Sequence, residues 1–163
     1  MKVVHKILMV CLGNICRSPV AEGIMRSKLE AIDLPFEVDS AGTSNYHIGE
    51  NPDARSVKNA VKNGIDISKL KARQFEVADF DYFDMIYVMD ENNKSDVISL
   101  ARTEQDVAKV KLILSELPKA AYKSVPDPYF GGEAGFQLVF ELLDKACESA
   151  AKQLLNKTIS IKQ

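Results

Sequence analysis

The sequence predicts a three-layer α/β domain, a parallel sheet covered by helices on both faces. Three observations carry this reading. Short apolar runs of strand length recur at 3–10, 36–41, 85–89 and 109–114. Segments of helical pattern separate them, and strands alternating with helices pair in parallel through crossover connections. The 163 residues suit one domain over 1–163 with a sizeable core.

The elements follow in order. Ile7-Leu8-Met9-Val10 is unbroken by polar residues, as in a strand buried on both faces. A helix is expected over 19–32, because Pro19 suits a first turn and Val20, Ile24, Met25 and Leu29 recur at helical spacing. Phe36 to Ala41 alternates as a second strand. Gly42 to Pro52 is a polar loop carrying Tyr46, and Asp53 to Asn63 is a helix stopped by Gly64. A short helical turn is expected over 75–80, then a buried strand over Met85 to Met89 and helices over 91–100 and 103–107. Lys109 to Leu114 is the fourth strand, 115–132 a long loop, and 133–155 a closing amphipathic helix.

Bulk properties narrow the function classes. Hydrophobic content of 46% and charged content of 27% are those of an ordinary globular chain. A net charge of -2 gives no broad basic field, so no nucleic-acid partner is expected. No apolar run has membrane-spanning length, and the N-terminus lacks a signal-peptide core, so no membrane association is expected. Three cysteines, an odd number, point to reduced thiols in a cytoplasm.

The informative segment is Cys11-Leu12-Gly13-Asn14-Ile15-Cys16-Arg17-Ser18-Pro19, which joins the first strand to a helix start. Ligands of parallel sheets bind beyond the carboxyl ends of strands, where this loop lies. A free cysteine is mostly protonated at neutral pH, and the thiolate is the nucleophile. Converging loop N–H groups and the positive end of the following helix favour that thiolate. Gly13 permits a tightly folded or left-handed backbone, and Asn14 tolerates the same region. Arg17 can grip two oxygens of a tetrahedral oxyanion at once. Ser18 can donate to the sulfur and ease its departure. No metal or cofactor is expected, since the loop and Arg17 supply the positive charge. The nucleotide-loop pattern Gly-x-x-x-x-Gly-Lys-Ser/Thr is absent. Cys11 and Cys16 lack the second ligand pair of a structural zinc site. The bland alternative makes Cys11 a small apolar residue that ends a strand.

Together with Ala21-Glu22, this segment resembles the phosphate-binding loop of low-molecular-weight protein tyrosine phosphatases. Asp39-Ser40-Ala41-Gly42, Ala72-Arg73-Gln74, Met89-Asp90 and Asp127-Pro128-Tyr129 recur in the family's order and spacing. The resemblance covers nearly the whole chain. It implies a four-stranded parallel sheet with helices on both sides, the Rossmann-like phosphotyrosine protein phosphatase I fold. It further implies hydrolysis of phosphotyrosine through a phosphocysteine on Cys11. Leu12, Gly13, Asn14, Ile15, Cys16 and Ser18 then bind the phosphoryl group with Arg17.

Expelling a phenolate whose acid has a pKa of about 10 needs a proton donor. Asp127, held between Pro126 and Pro128, offers one, and the resemblance assigns it as general acid and then general base. Alone, Asp-Pro is usually a turn. Tyr46, Tyr129 and Phe130 are expected to wall the mouth for a planar ring. Tyr46 stands where many family members carry tryptophan. The resemblance pairs Cys16 with Cys11 in a reversible, protective disulfide. Cys147 reads as core, and His5 and His47 as surface residues. Ser40, Asn14 and Glu22 orient the loop by the resemblance, while Glu22 and Asp90 have solvated readings as well. Lys58, Lys62, Lys69, Lys71 and Arg73 read as a solvated face. Leu70 replaces a histidine found in several members, which breaks any polar network through that position.

Four rivals remain at this stage. Protein-arginine phosphatases tend to carry threonine where this chain has Ile15. Thiol-dependent arsenate reductases need two further mid-chain cysteines, and 66–110 contain none. A phosphoryl carrier or a silent binding module has no use for Asp127. Expected partners are phosphotyrosine proteins, with a bacterial tyrosine kinase as one implied by the resemblance, and inhibitory phosphate or other oxyanions. The default oligomeric state is monomer.

Overall fold

The computed structural model describes residues 3–117 and 122–162. Residues 118–121, within the loop expected over 115–132, lie outside the described residues, as do the two N-terminal residues and Gln163.

Four strands, β1 (His5–Cys11), β2 (Phe36–Gly42), β3 (Met85–Val88) and β4 (Val110–Leu112), form one parallel sheet in the order β2-β1-β3-β4. The pleat sends successive side chains to opposite faces. Ile7, Met9, Cys11, Tyr87 and Met89 face one core, filled by α1 (Arg17–Ala31) and α6 (Glu133–Lys162). Leu8, Val10, Ile86 and Val88 face a second core with Phe75, Phe80, Phe83 and Val97. This second core lies beneath α3 (Asp79–Tyr82) and α4 (Glu91–Ile98). The remaining helices are α2 (Ala54–Lys62) and α5 (Glu104–Ala108). The central strand therefore has two buried faces, as its uninterrupted apolar run requires.

The chain leaves β1 for β2 on one side, and from β2 it crosses back past β1 to β3 on the other. That reversal opens a crevice at the carboxyl end of β1, where Cys11 sits.

Several boundaries differ from expectation. Helix α1 starts at Arg17, two residues early, with Cys16 as its N-cap. Pro19 then occupies the third helical position, where its missing N–H breaks no intrahelical bond. The fourth strand ends at Leu112, and Ile113–Glu116 form a 3-10 turn. Ile113 and Leu114 are buried in the turn, so their apolar character reads like the end of a buried strand. The helical turn expected over 75–80 forms at Asp79–Tyr82. Helix α6 runs seven residues past 155 to Lys162. No glycine or proline interrupts 156–162, and Thr158 Oγ1 meets His5 Nε2 at 3.1 Å.

Candidate active site

The loop from Leu12 to Cys16 turns on one strained residue and two close approaches. Asn14 has φ 58°, the left-handed region its side chain tolerates. Gly13 has no positive φ. Its need is space, since a Cβ there would meet His47 Cδ2 at 3.0 Å. Gly42, the register partner of Cys11, lies directly against the loop. A Cβ on Gly42 would stand 2.7 Å from Leu12 O.

Around Cys11 the polar groups converge. The Asn14 N–H donates to Cys11 Sγ at 3.2 Å, and Ser18 Oγ lies 3.0 Å from the same sulfur. Asn14 Nδ2 donates to Ser18 Oγ at 2.8 Å, while Asn14 Oδ1 accepts the Arg73 N–H at 3.0 Å. The Arg73 donor fixes which end of the Asn14 amide faces Ser18. Ser18 receives that bond, so its own proton is directed at the sulfur; its other acceptor, Ala41 O, is 3.5 Å away.

Arg17, on the first turn of α1, is buried. Its Nη1 donates to Asp90 Oδ2 at 2.6 Å and to Val125 O at 3.1 Å. These contacts leave Nε and Nη2 unengaged by hydrogen bonds among the described residues, with Asp127 Oδ2 3.8 Å from Nη2. Asp90 also caps α4, its Oδ1 accepting the Asn93 N–H at 2.7 Å. Asp127 Oδ1 accepts the Tyr129 N–H at 3.0 Å, which turns the other oxygen toward the guanidinium. At 42% side-chain exposure Asp127 is within reach of water.

These groups meet in a cavity of about 240 Å³ lined by Cys11, the loop, Arg17 and Asp127. Tyr46, Tyr129 and Phe130 stand at its mouth, with Phe130 93% exposed. Tyr129 and Phe130 pack edge to face, their centroids 5.0 Å apart. The arrangement is a cradle for a tetrahedral oxyanion beside a sulfur, with an apolar slot for a ring above it.

Charge in the cavity is uneven. Burial works against the Arg17 charge, yet the Cys11 sulfur, Asp90 and Asp127 together hold its pKa above the ordinary value. Burial pushes the Cys16 thiol up to about 12; Ser56 offsets part of this, while Asp53, Cys11 and Asp127 add to it. Burial likewise raises the Cys147 thiol, 3.9 Å from Ala21 O in the core. Burial raises Glu22 despite hydrogen bonds from Ser40 Oγ and Arg26, each at 2.6 Å.

The structure brings together Cys11, Leu12, Gly13, Ile15, Cys16, Arg17, Tyr46, Asp127, Tyr129 and Phe130 at one cavity. Asn14 and Ser18 stand behind it and act on the sulfur through hydrogen bonds. Asp90 and Glu22 are not simply solvated: each holds an arginine. Arg73 also leaves the solvated face, bridging Asp39 at 2.9 Å and Asp79 at 3.1 Å. Leu70 packs half-buried on the core, and Arg26 supplies the cation for Glu22. Sequence reasoning missed Val125 O and His47, which lines the cavity over Gly13 and pairs with Glu50. No periodicity marks either; the only signal for His47 was its nearness to Tyr46. Among the described residues, no three His, Cys, Asp or Glu side chains are grouped to hold a metal ion.

The family model for low molecular weight phosphotyrosine protein phosphatases matches residues 6–160. The chain belongs to this phosphatase family. A Synechocystis relative named as a low molecular weight protein-tyrosine-phosphatase is 43% identical over 157 residues, covering 93% of this chain and 99% of its own. The low molecular weight phosphotyrosine protein phosphatase of Gallus gallus is 38% identical over 149 residues, covering 90% and 93%. Among solved structures, a protein tyrosine phosphatase from Entamoeba histolytica superposes with a TM-score of 0.89 at 36% identity, covering 94% and 98%. Each of these relatives is named as a protein tyrosine phosphatase, and the Entamoeba structure shares this chain's fold.

Proposed function

We propose that the protein hydrolyses phosphotyrosine in phosphoproteins through a phosphocysteine intermediate, the whole chain acting as one catalytic unit. The observation that carries this is the convergence of Cys11 Sγ, the free edge of Arg17 and Asp127 in one aromatic-walled cavity.

In the first step the Cys11 thiolate attacks phosphorus in line. The S–P bond forms, the P–O bond to the phenol breaks, and Asp127 gives its proton to the departing oxygen. Nε and Nη2 of Arg17 and the loop N–H groups neutralise the equatorial oxygens. Asp90 and Val125 O hold the other end of the guanidinium, so this charge needs no reorganisation during the reaction. In the second step Asp127 takes a proton from water as the water oxygen bonds phosphorus. The P–S bond breaks, and the Ser18 hydroxyl donates to the sulfur that leaves as thiolate. Positioning and electrostatics do most of the work, as in phosphoryl transfer generally.

Tyr46, Tyr129 and Phe130 take the substrate ring, and the apolar Ile15 side chain supports a phenyl ester over phosphoarginine. Inorganic phosphate and similar oxyanions fit the same cradle and inhibit by competition. Cys16 is the resolving thiol after oxidation of Cys11. The odd number of cysteines supports a cytoplasmic setting, with a monomer as the acting species and a bacterial tyrosine kinase as one natural substrate. No described helix is long and apolar enough to cross a membrane.

The test is steady-state phosphate release from phosphotyrosine, phosphoarginine and phosphoserine, by the wild type and Cys11→Ser. Cys11-dependent turnover led by phosphotyrosine is expected. Preference for phosphoarginine overturns the substrate assignment, and full activity in Cys11→Ser overturns the nucleophile.

A further inference from the structure

We propose that the cleft between α2 and α6 docks an acidic segment flanking the phosphotyrosine of the substrate; this rests on the phosphotyrosine reading above. The cleft encloses about 390 Å³, more than the active-site cavity, and its lining includes Arg55, Lys58, Lys62, Glu133, Phe136 and Gln137. Three cations thus face one carboxylate, on a chain whose net charge is -2. Asn59 Nδ2 donates to Gln137 Oε1 at 2.9 Å, which ties the two helices and keeps the cleft formed.

Arg55 joins the cleft to the active site. Its Nη2 donates to Tyr129 O at 2.9 Å, and its guanidinium lies 5.5 Å from the Tyr129 ring and 4.8 Å from the Phe136 ring. Tyr129 walls the catalytic cavity, so a peptide leaving that mouth over Tyr129 passes directly onto the cleft. Asp53 pairs with Arg55 at 3.0 Å, so Arg55 shapes the junction and the two lysines carry the available charge. Lys58 faces Glu133 at 3.8 Å, with both side chains largely exposed. An exposed pair of that length contributes little, and an incoming carboxylate can replace Glu133 at small cost. Phe136 gives the cleft an apolar element against which the methylenes of a glutamate can lie.

The lining favours carboxylates over a second phosphate group. Lysines act as mobile point charges, whereas the bidentate fork suited to phosphate belongs to Arg55, which is already engaged.

The experiment compares kcat/KM for three phosphotyrosine peptides: one with neutral flanks, one with glutamates on the N-terminal side and one with glutamates on the C-terminal side. Each is tested with the wild type and with K58E/K62E, and p-nitrophenyl phosphate serves as a substrate too small to reach the cleft. Two exposed charge contacts give the wild type about a fivefold preference for one acidic peptide, shrinking at high ionic strength. K58E/K62E loses or inverts that preference and keeps its p-nitrophenyl phosphate turnover, which also shows that it folds. K58Q/K62Q, which adds no repulsion, falls between the two. Equal rates on all three peptides, or a preference that survives in K58E/K62E, overturn the docking proposal alone. Wild-type turnover of p-nitrophenyl phosphate but of none of the peptides overturns the phosphotyrosine reading, and the docking proposal with it.

Discussion

Asp90→Asn separates two tasks that one carboxylate performs. Asp90 Oδ1 caps α4 by accepting the Asn93 N–H at 2.7 Å, and Oδ2 accepts Arg17 Nη1 at 2.6 Å. Asparagine is as good an N-cap as aspartate, so its oxygen keeps the cap. Its amide nitrogen then faces Arg17 Nη1, donor against donor, and the guanidinium keeps only Val125 O as an anchor. A hydrogen bond to a charged group is worth about 1.5–3 kcal/mol. If Arg17 is oriented by this contact for the transition state, kcat/KM falls by about 10- to 100-fold. The assay is steady-state hydrolysis of p-nitrophenyl phosphate and phosphotyrosine, with inhibition by inorganic phosphate measured alongside. Phosphate should bind more weakly, because it uses the same guanidinium. Urea unfolding of Asp90→Asn and Asp90→Ala provides the control: the alanine variant loses both contacts and is the less stable. Activity of Asp90→Asn within twofold of wild type would refute the argument that Asp90 positions Arg17.

Five further outcomes are expected. Asp127→Ala slows phenyl phosphate far more than esters with acidic leaving groups, read from rates across a leaving-group series; an equal loss across the series excludes general-acid catalysis. Because burial pushes the Cys16 thiol up to about 12, iodoacetamide labels Cys16 slowly near neutral pH and faster as the pH rises, read by peptide mass spectrometry. In the same system Cys16→Ser regains a smaller share of its starting activity after peroxide and thiol treatment; unchanged recovery excludes the resolving role. Gly42→Ala drives a Cβ to 2.7 Å from Leu12 O, so the loop must shift, costing about 1–3 kcal/mol of stability and lowering kcat, checked by denaturation and kinetics. Finally, Glu22 has a native pKa above its unfolded value, so the folded state binds its proton more tightly. That contribution to stability is complete below the unfolded pKa of about 4.3 and is lost as the pH rises through the native value. Glu22→Gln should flatten this part of the urea-midpoint profile; an unchanged slope refutes it.

Local chemistry carries much of this site. The thiol, the left-handed Asn14, Arg17 and the Ser18 hydroxyl lie within eight consecutive residues, Cys11 to Ser18. A contiguous loop between a buried strand and a helix must bring them to one point whatever the rest of the chain does. Strand and helix types were legible for the same reason, since period-2 and helical apolar patterns are properties of neighbouring residues. Boundaries such as the end of β4 were not, because Ile113 and Leu114 are buried in the turn and so keep the apolar character of a buried strand. The second group of contacts joins residues far apart in the chain. Arg17 reaches Asp90 and Val125 O across 73 and 108 positions, Arg73 fixes Asn14 across 59, and His47 closes over Gly13. Arg55 meets Tyr129 across 74 positions and joins a lysine-lined cleft to the catalytic mouth. By itself, then, the sequence determined the chemistry of the loop, because adjacency along the chain forces those groups together. The tertiary structure alone decided how Arg17 is held and what adjoins the site, because sheet order and helix packing choose which distant residues become neighbours.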